Sequence, residues 1–140
     1  MRQSNIERNQ LTSRASATGR KQRDGPDYVG GYGQKTGSSD LLFLEGHLPT
    51  VDGTVDDRQS APEQLERCLE NLRETLEGYD RTLDDVLKVT VYLTDLQQYE
   101  AINDVYRDAF DEQVPARSVV GVSELLGGAD VQLDAVVAVE

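Results

Sequence analysis

The 140-residue chain has no tryptophan, one histidine, one cysteine and three lysines, Lys21, Lys35 and Lys88. Each scarcity excludes something. A lone Cys68 can close no intrachain disulfide and build no cysteine metal cage. With His47 as the single imidazole, neither a histidine-rich metal site nor an H-E-x-x-H helix is available, and no acidic cluster has calcium-loop spacing. No metal is expected. A Ser-His-Asp triad would have to route through His47, and no nucleophile-elbow motif surrounds any serine. No run of roughly 18 apolar residues occurs, which excludes a spanning helix. The N-terminus lacks the apolar core of a secretory signal, so the cytoplasm is the expected compartment. Aromatics make up 6% and hydrophobic residues 37%. That is a thin supply for a self-sufficient core at this length, and it points to an oligomer.

What is abundant is negative charge: 26 acidic against 14 basic residues, a net charge of −12. The distribution is uneven. Residues 1–25 hold Arg2, Arg8, Arg14, Arg20, Lys21 and Arg23 against Glu7 and Asp24, so that stretch is about +4 and the rest about −16. Such a body repels phosphate backbones and anionic membranes, which argues against nucleic acid as a partner. A lysine-poor, aspartate-rich surface fits either ordinary acidic solubility or a protein hydrated in very salty cytoplasm. Stabilisation by molar KCl would separate the two.

One domain is expected. Residues 1–26 are polar, end in Asp24-Gly25-Pro26 and are expected to form a basic arm, with the folded domain at 27–140. Tyr28-Val29-Gly30-Gly31-Tyr32-Gly33 allows a short edge strand but lacks the G-x-G-x-x-G spacing of a nucleotide loop. Leu41-Leu42-Phe43-Leu44 has strand length, breaks at Gly46 and leads to a turn at Asp52-Gly53. Ser60 and Glu63 form a capping box with Pro62 in the first turn. Leu65, Cys68, Leu69, Leu72 and Leu76 then share one helical face up to Gly78, which makes Cys68 core packing.

From Val86 to Leu93 a strand is expected, with Leu87, Val89, Val91 and Leu93 on one face and Lys88, Thr90 and Tyr92 on the other. Asp95, with Gln98 three residues on, can cap a second helix whose stripe is Tyr99, Ile102, Asn103, Tyr106 and Phe110. Strands at 117–122 and 131–139 follow. In the second, Val131, Leu133, Ala135 and Val137 oppose Gln132, Asp134, Val136 and Ala138. The order β, β, α, β, α, β, β describes an α+β fold: one mixed sheet with two amphipathic helices over one face. Small and polar side chains on the other face (Thr90, Tyr92, Gln132) suit a subunit contact with a pocket.

Few residues invite a chemical role. His47 is expected in a turn or at the surface. Pro115 fixes the entry to a strand at whose start Arg117 stands. A guanidinium there either pairs with one of the many acids or grips a carboxylate bidentately. Asn103, on an otherwise apolar stripe, either ties down a loop or faces a ligand.

These segments resemble the RidA/YjgF family. Asp85 through Asp95 is similar to its central strand and turn, and Asn103-x-x-Tyr106-x-x-x-Phe110 to its second helix. Pro115-Ala116-Arg117-Ser118 is its most specific signature. Gly46-His47-Leu48-Pro49, Asn71-Leu72 and the closing strand complete a likeness spanning about 28–139. The resemblance implies a chorismate-mutase-like fold and a homotrimer whose sheets form a central barrel, with pockets between subunits. It implies hydrolysis of reactive 2-imino or enamine acids to 2-oxo acids and ammonia, without metal or cofactor. Arg117 would then bind the substrate carboxylate, with Tyr32 and Asn103 lining the pocket.

Two positions depart from that pattern. Gln132 stands where active deaminases carry a water-activating glutamate, and an amide orients water without usefully taking its proton. Glu45 replaces a small hydroxyl residue. Either Glu45 supplies the missing acid while Gln132 orients, or Glu45 pairs with Arg117 and alters binding; Asp134 is a less suited substitute. The implied functions are therefore a deaminase or a non-catalytic, regulatory carboxylate-binding trimer. The translation-inhibitor or endoribonuclease role of some relatives conflicts with the acidic body.

Overall fold

The computed structural model describes residues 33–35 and 41–139. Among these residues seven strands and two α-helices follow one another as β1 (Gly33–Lys35), β2 (Leu41–His47), β3 (Thr50–Val51), β4 (Thr54–Val55), α1 (Ala61–Glu77), β5 (Val86–Leu93), α2 (Tyr99–Phe110), β6 (Ala116–Gly121) and β7 (Val131–Ala138). Five form a mixed sheet in the order β1-β2-β7-β5-β6, antiparallel except for the parallel β5–β6 pair, which α2 connects. The α+β class with two helices on one face is as expected. The little β3–β4 hairpin turns through Asp52 (φ 53°) and Gly53 (φ 80°), the two left-handed residues of a type I′ turn. The expected arm at 1–26, and Tyr32, lie outside the described residues.

Leucine spacing builds α1, and Ser60 starts it. The Ser60 hydroxyl accepts from the Glu63 amide at 3.3 Å, and the Glu63 carboxylate accepts from the Ser60 amide at 2.9 Å. Gly78 ends the helix with ordinary right-handed angles (φ −64°), and the left-handed reversal falls to Asp80 (φ 58°). Asp95 caps a 3-10 turn, Leu96–Gln98, rather than α2, whose first turn has no side-chain cap. The core joins Leu65, Cys68, Leu69, Leu72 and Leu76 of α1 and Ile102, Tyr106 and Phe110 of α2 to the inner residues of β2, β5 and β7. Burial raises the Cys68 thiol far above its usual range, as befits a packing residue.

Strand alternation fails at two places, both for the same reason. Between Val86 and Lys88 the pairing of β5 with β7 shifts, so Val86 enters the core and Leu87, expected inside, is 48% exposed. Between Leu44 and His47 the pairing of β2 with β7 shifts again. The chain does not leave the sheet at Gly46. It bulges there, and His47 re-enters the strand with its ring buried, not at the surface. No helix among the described residues is long and apolar enough to cross a membrane.

Candidate functional site

Arg117 occupies the second position of β6, the edge strand, opposite Val89 of β5. Val89 faces the helices, so Arg117 does too. Its guanidinium carbon lies 4.7 Å from the centroid of the Tyr106 ring and 5.4 Å from that of Tyr99. One nitrogen, Nη2, donates to the Tyr99 hydroxyl at 3.1 Å. Among the described residues the ion pairs are Arg58–Asp56, Arg73–Glu70 and Arg107–Asp104; none engages Arg117. The structural ion pair that spacing alone allowed is thus absent among them. A guanidinium laid across two rings at a sheet edge, with no carboxylate partner among the described residues, has the chemistry to take a carboxylate from elsewhere.

Helix α2 supplies the neighbours. Asn103 and Tyr106 are one turn apart on its inner side, and both Asn103 Oδ1 and the Tyr106 hydroxyl are buried without a hydrogen-bond partner among the described residues. A buried polar atom left unpaired costs about 1–3 kcal/mol, so a partner from a ligand or a second copy fits both. Burial pushes the Tyr106 phenol up to about 12, with nearby Arg117 pulling the other way, so it is a neutral donor. Tyr99 and Tyr106 were visible in the sequence only as helix stripe. Their spacing from Asn103 was the available signal.

A second group lies on the opposite side of the sheet. Gln132 on β7 stands across from Tyr92 on β5. The Tyr92 hydroxyl donates to Asp134 Oδ2 at 3.0 Å, and burial first, then Asp134, raises the Tyr92 phenol. The Gln132 side chain lies directly over Gly46, where an added Cβ would collide with its Nε2 and come within 2.9 Å of its Cδ. The bulge glycine thus exists to let this amide lie down. Upstream, Asp130 fixes the start of β7: its amide donates to buried Gln64 at 2.8 Å, and its carboxylate accepts from Thr94 at 2.7 Å.

Sheet order separates the two groups. Gln132 and Arg117 are two strands and three residues of register apart, about 14 Å, and on opposite faces. Glu45, in the bulge of β2, is three strands from Arg117. A Glu45–Arg117 pair within one chain is therefore excluded by distance. A single small molecule touching Arg117 and Gln132 together requires the edge of one copy to meet the open face of another. A cleft of about 770 Å³ between α1 and α2 contains none of these residues; it is lined mostly by charged side chains such as Glu63, Glu66, Arg67, Glu70 and Glu74. No group of three or more potential metal ligands occurs among the described residues.

Known proteins are similar to this chain in sequence and in fold. The profile of the family described as Endoribonuclease L-PSP matches residues 22–139. The RutC family protein y4sK of Sinorhizobium fredii is 39% identical over 115 residues, covering 81% of this chain and 91% of that protein. A 2-iminobutanoate/2-iminopropanoate deaminase of Dermatophagoides farinae is 27% identical over 117 residues, 82% of this chain and 91% of the relative. The crystal structure of RidA from an Antarctic Psychrobacter matches with a TM-score of 0.74 at 27% identity, covering 85% and 97% of the two chains.

Proposed function

Since the chain belongs to the Endoribonuclease L-PSP (RidA/YjgF) family, we propose that it hydrolyses small imino or enamine acids to 2-oxo acids and ammonia in a pocket between subunits of a homotrimer. The observation that carries this is Arg117: a guanidinium on an edge strand, seated on Tyr99 and Tyr106 and paired with no carboxylate among the described residues. Its fork would take the substrate carboxylate. The similarity to a deaminase acting on imino acids of that kind supports the choice of substrate class.

In the reaction, an enamine is first protonated at C3 to give the imine. Water adds to C2 as a proton passes to nitrogen, and the carbinolamine expels ammonia to leave the 2-oxo acid. Arg117 fixes the carboxylate and so the position of C2. Asn103, with its unpartnered Oδ1, and Tyr32 line the pocket. From the neighbouring copy, Gln132 orients the water, and Glu45 at the adjacent bulge takes its proton. Glu45 is assigned the base because it is the carboxylate next in sequence to Gly46, over which the Gln132 amide lies. The open sheet face, with Phe43 42% exposed, is the surface such a trimer would cover.

The test is ammonia release from freshly generated 2-iminopropionate and 2-iminobutyrate. Arg117→Ala should lower kcat/KM about 100-fold, the loss of one charge-assisted carboxylate clamp. Glu45→Gln should abolish most turnover, and unchanged turnover removes Glu45 as the base. Silence of the wild type, with carboxylate binding that still needs Arg117, would establish instead a non-catalytic, regulatory binding trimer, the function favoured by an amide at 132. Sedimentation should give three times the 15.5 kDa chain mass; a monomer contradicts the shared pocket.

A further inference from the structure

The buried histidine of β2 belongs to neither group. The His47 ring is 8% exposed. Its Nδ1 lies 2.9 Å from the carbonyl oxygen of Glu45, two residues earlier, and its Nε2 lies 2.9 Å from the Thr75 hydroxyl on α1. A carbonyl oxygen can only accept, so Nδ1 must carry the proton. Nε2 of a neutral ring is then an acceptor, and Thr75 donates to it. The competing acceptor for that hydroxyl, the Asn71 carbonyl, is farther away at 3.2 Å.

We propose that His47 is a positioning residue for the open-face site: anchored to α1 through Thr75, its Nδ1–H pins the Glu45 carbonyl and so holds Gly46 beneath the Gln132 amide. The bond spans the whole bulge, between the Leu44–Ala135 and His47–Leu133 register pairs. With the Gln132 side chain lying against Gly46, a shift of the bulge towards the open face displaces the amide. Burial above all keeps the ring neutral, against the Glu45 carbonyl and Asp134 on β7, which favour the proton. The charged group acting on it is thus Asp134 from β7; its own strand presents the Glu45 backbone carbonyl and α1 presents Thr75. The inference rests on Glu45 and Gln132 belonging to the site.

Because His47 is the only histidine, the imidazole nitrogens of the full-length protein report it without ambiguity by NMR. Near pH 7.5 a protonated Nδ1 and an acceptor Nε2 are expected; the opposite tautomer overturns the inference whether or not the protein releases ammonia. His47→Leu should cut kcat about tenfold while KM, set by Arg117 on another element, stays within about twofold. His47→Asn, whose amide still reaches the Glu45 carbonyl, should recover most of it. Equal loss in both variants, or none in His47→Leu, overturns the pin. Should His47→Leu fail to fold, Thr75→Val removes the anchor alone and Thr75→Ser restores it. If no variant and no wild type is catalytic, the function proposed above fails separately. The pin is then read from the Gln132 side-chain amide resonances, which must move in Thr75→Val and not in Thr75→Ser.

Discussion

On β7, Val131, Leu133, Ala135 and Val137 are buried under the helices, while Gln132, Asp134, Val136 and Ala138, one residue out of step, stay half exposed. The same alternation on β5 hides Val89, Val91 and Leu93 and leaves Lys88, Thr90 and Tyr92 on the other side. One face is finished within the chain: leucines from α1 and aromatics from α2 close over it. The other carries a Tyr92–Asp134 hydrogen bond, an amide laid on a bulge glycine, and Phe43 with nothing described above it. The residues that stabilise the fold and those proposed for water handling thus lie on different faces of one sheet. Arg117 is the exception, on the helix side but at the edge, where the helical cover thins to the two tyrosines beneath it.

The sharpest way to break this division is to damage the finished face and look for a loss on the other. Leu72→Ala removes a fully buried side chain from α1 and should cost about 3 kcal/mol of unfolding free energy in denaturant titration. Below the unfolding range, ligand affinity should be unchanged. A large affinity loss in the folded variant would mean that the faces are not separable. Arg117→Lys comes next. It keeps the charge but loses the planar fork and the stacking on Tyr106, and should weaken binding of a small 2-oxo acid, followed by calorimetry, about tenfold. Parity with wild type would show that a point charge suffices. Gly46→Ala is gentler on the fold, since the atoms it meets belong to a movable amide side chain. It should leave stability within about 1 kcal/mol and lower turnover severalfold by displacing Gln132. An unaltered rate would remove that amide from the site.

How much of this could be read in advance follows local chemistry. Alternation on β7, the leucine stripe of α1 and the Ser60–Glu63 box depend on neighbours within a few residues, and each appears in the structure where the sequence placed it. Leu87 and His47 were misplaced because a bulge adds a residue without changing composition; Gly46 looks like a strand end when only the chain is seen. The position of Arg117 at a strand start was legible from Pro115. Its separation from Gln132 was not, because the facing of Arg117 follows from the parallel register of β6 on β5, Arg117 against Val89, which no local pattern encodes. Asn103 looked ambiguous for a physical reason as well: whether a half-buried amide is tied down depends on what crosses above it. Among the described residues nothing reaches its Oδ1.

The smallest effect at neutral pH, and the most direct comparison of the two faces, is their alkaline behaviour. Tyr106 on the helix side and Tyr92 on the open side both have phenols raised by burial, Tyr106 to about 12. A phenol harder to ionise when folded leaves the unfolded chain with fewer protons once pH passes about 10, the ordinary tyrosine value. Stability from these groups is therefore complete below that pH and declines as pH rises through their folded values. Thermal unfolding followed from pH 8 to 11.5 should show this decline. Tyr106→Phe should flatten it, because the buried ring then has nothing to ionise, and should also remove an unpartnered hydroxyl at little cost at pH 8. Tyr92→Phe should flatten it less, while losing roughly 1 kcal/mol at pH 8 with the bond to Asp134. If Tyr92 dominates the alkaline limb instead, the open face is covered in solution more completely than the helix face, as a barrel closed by other copies of the chain would make it.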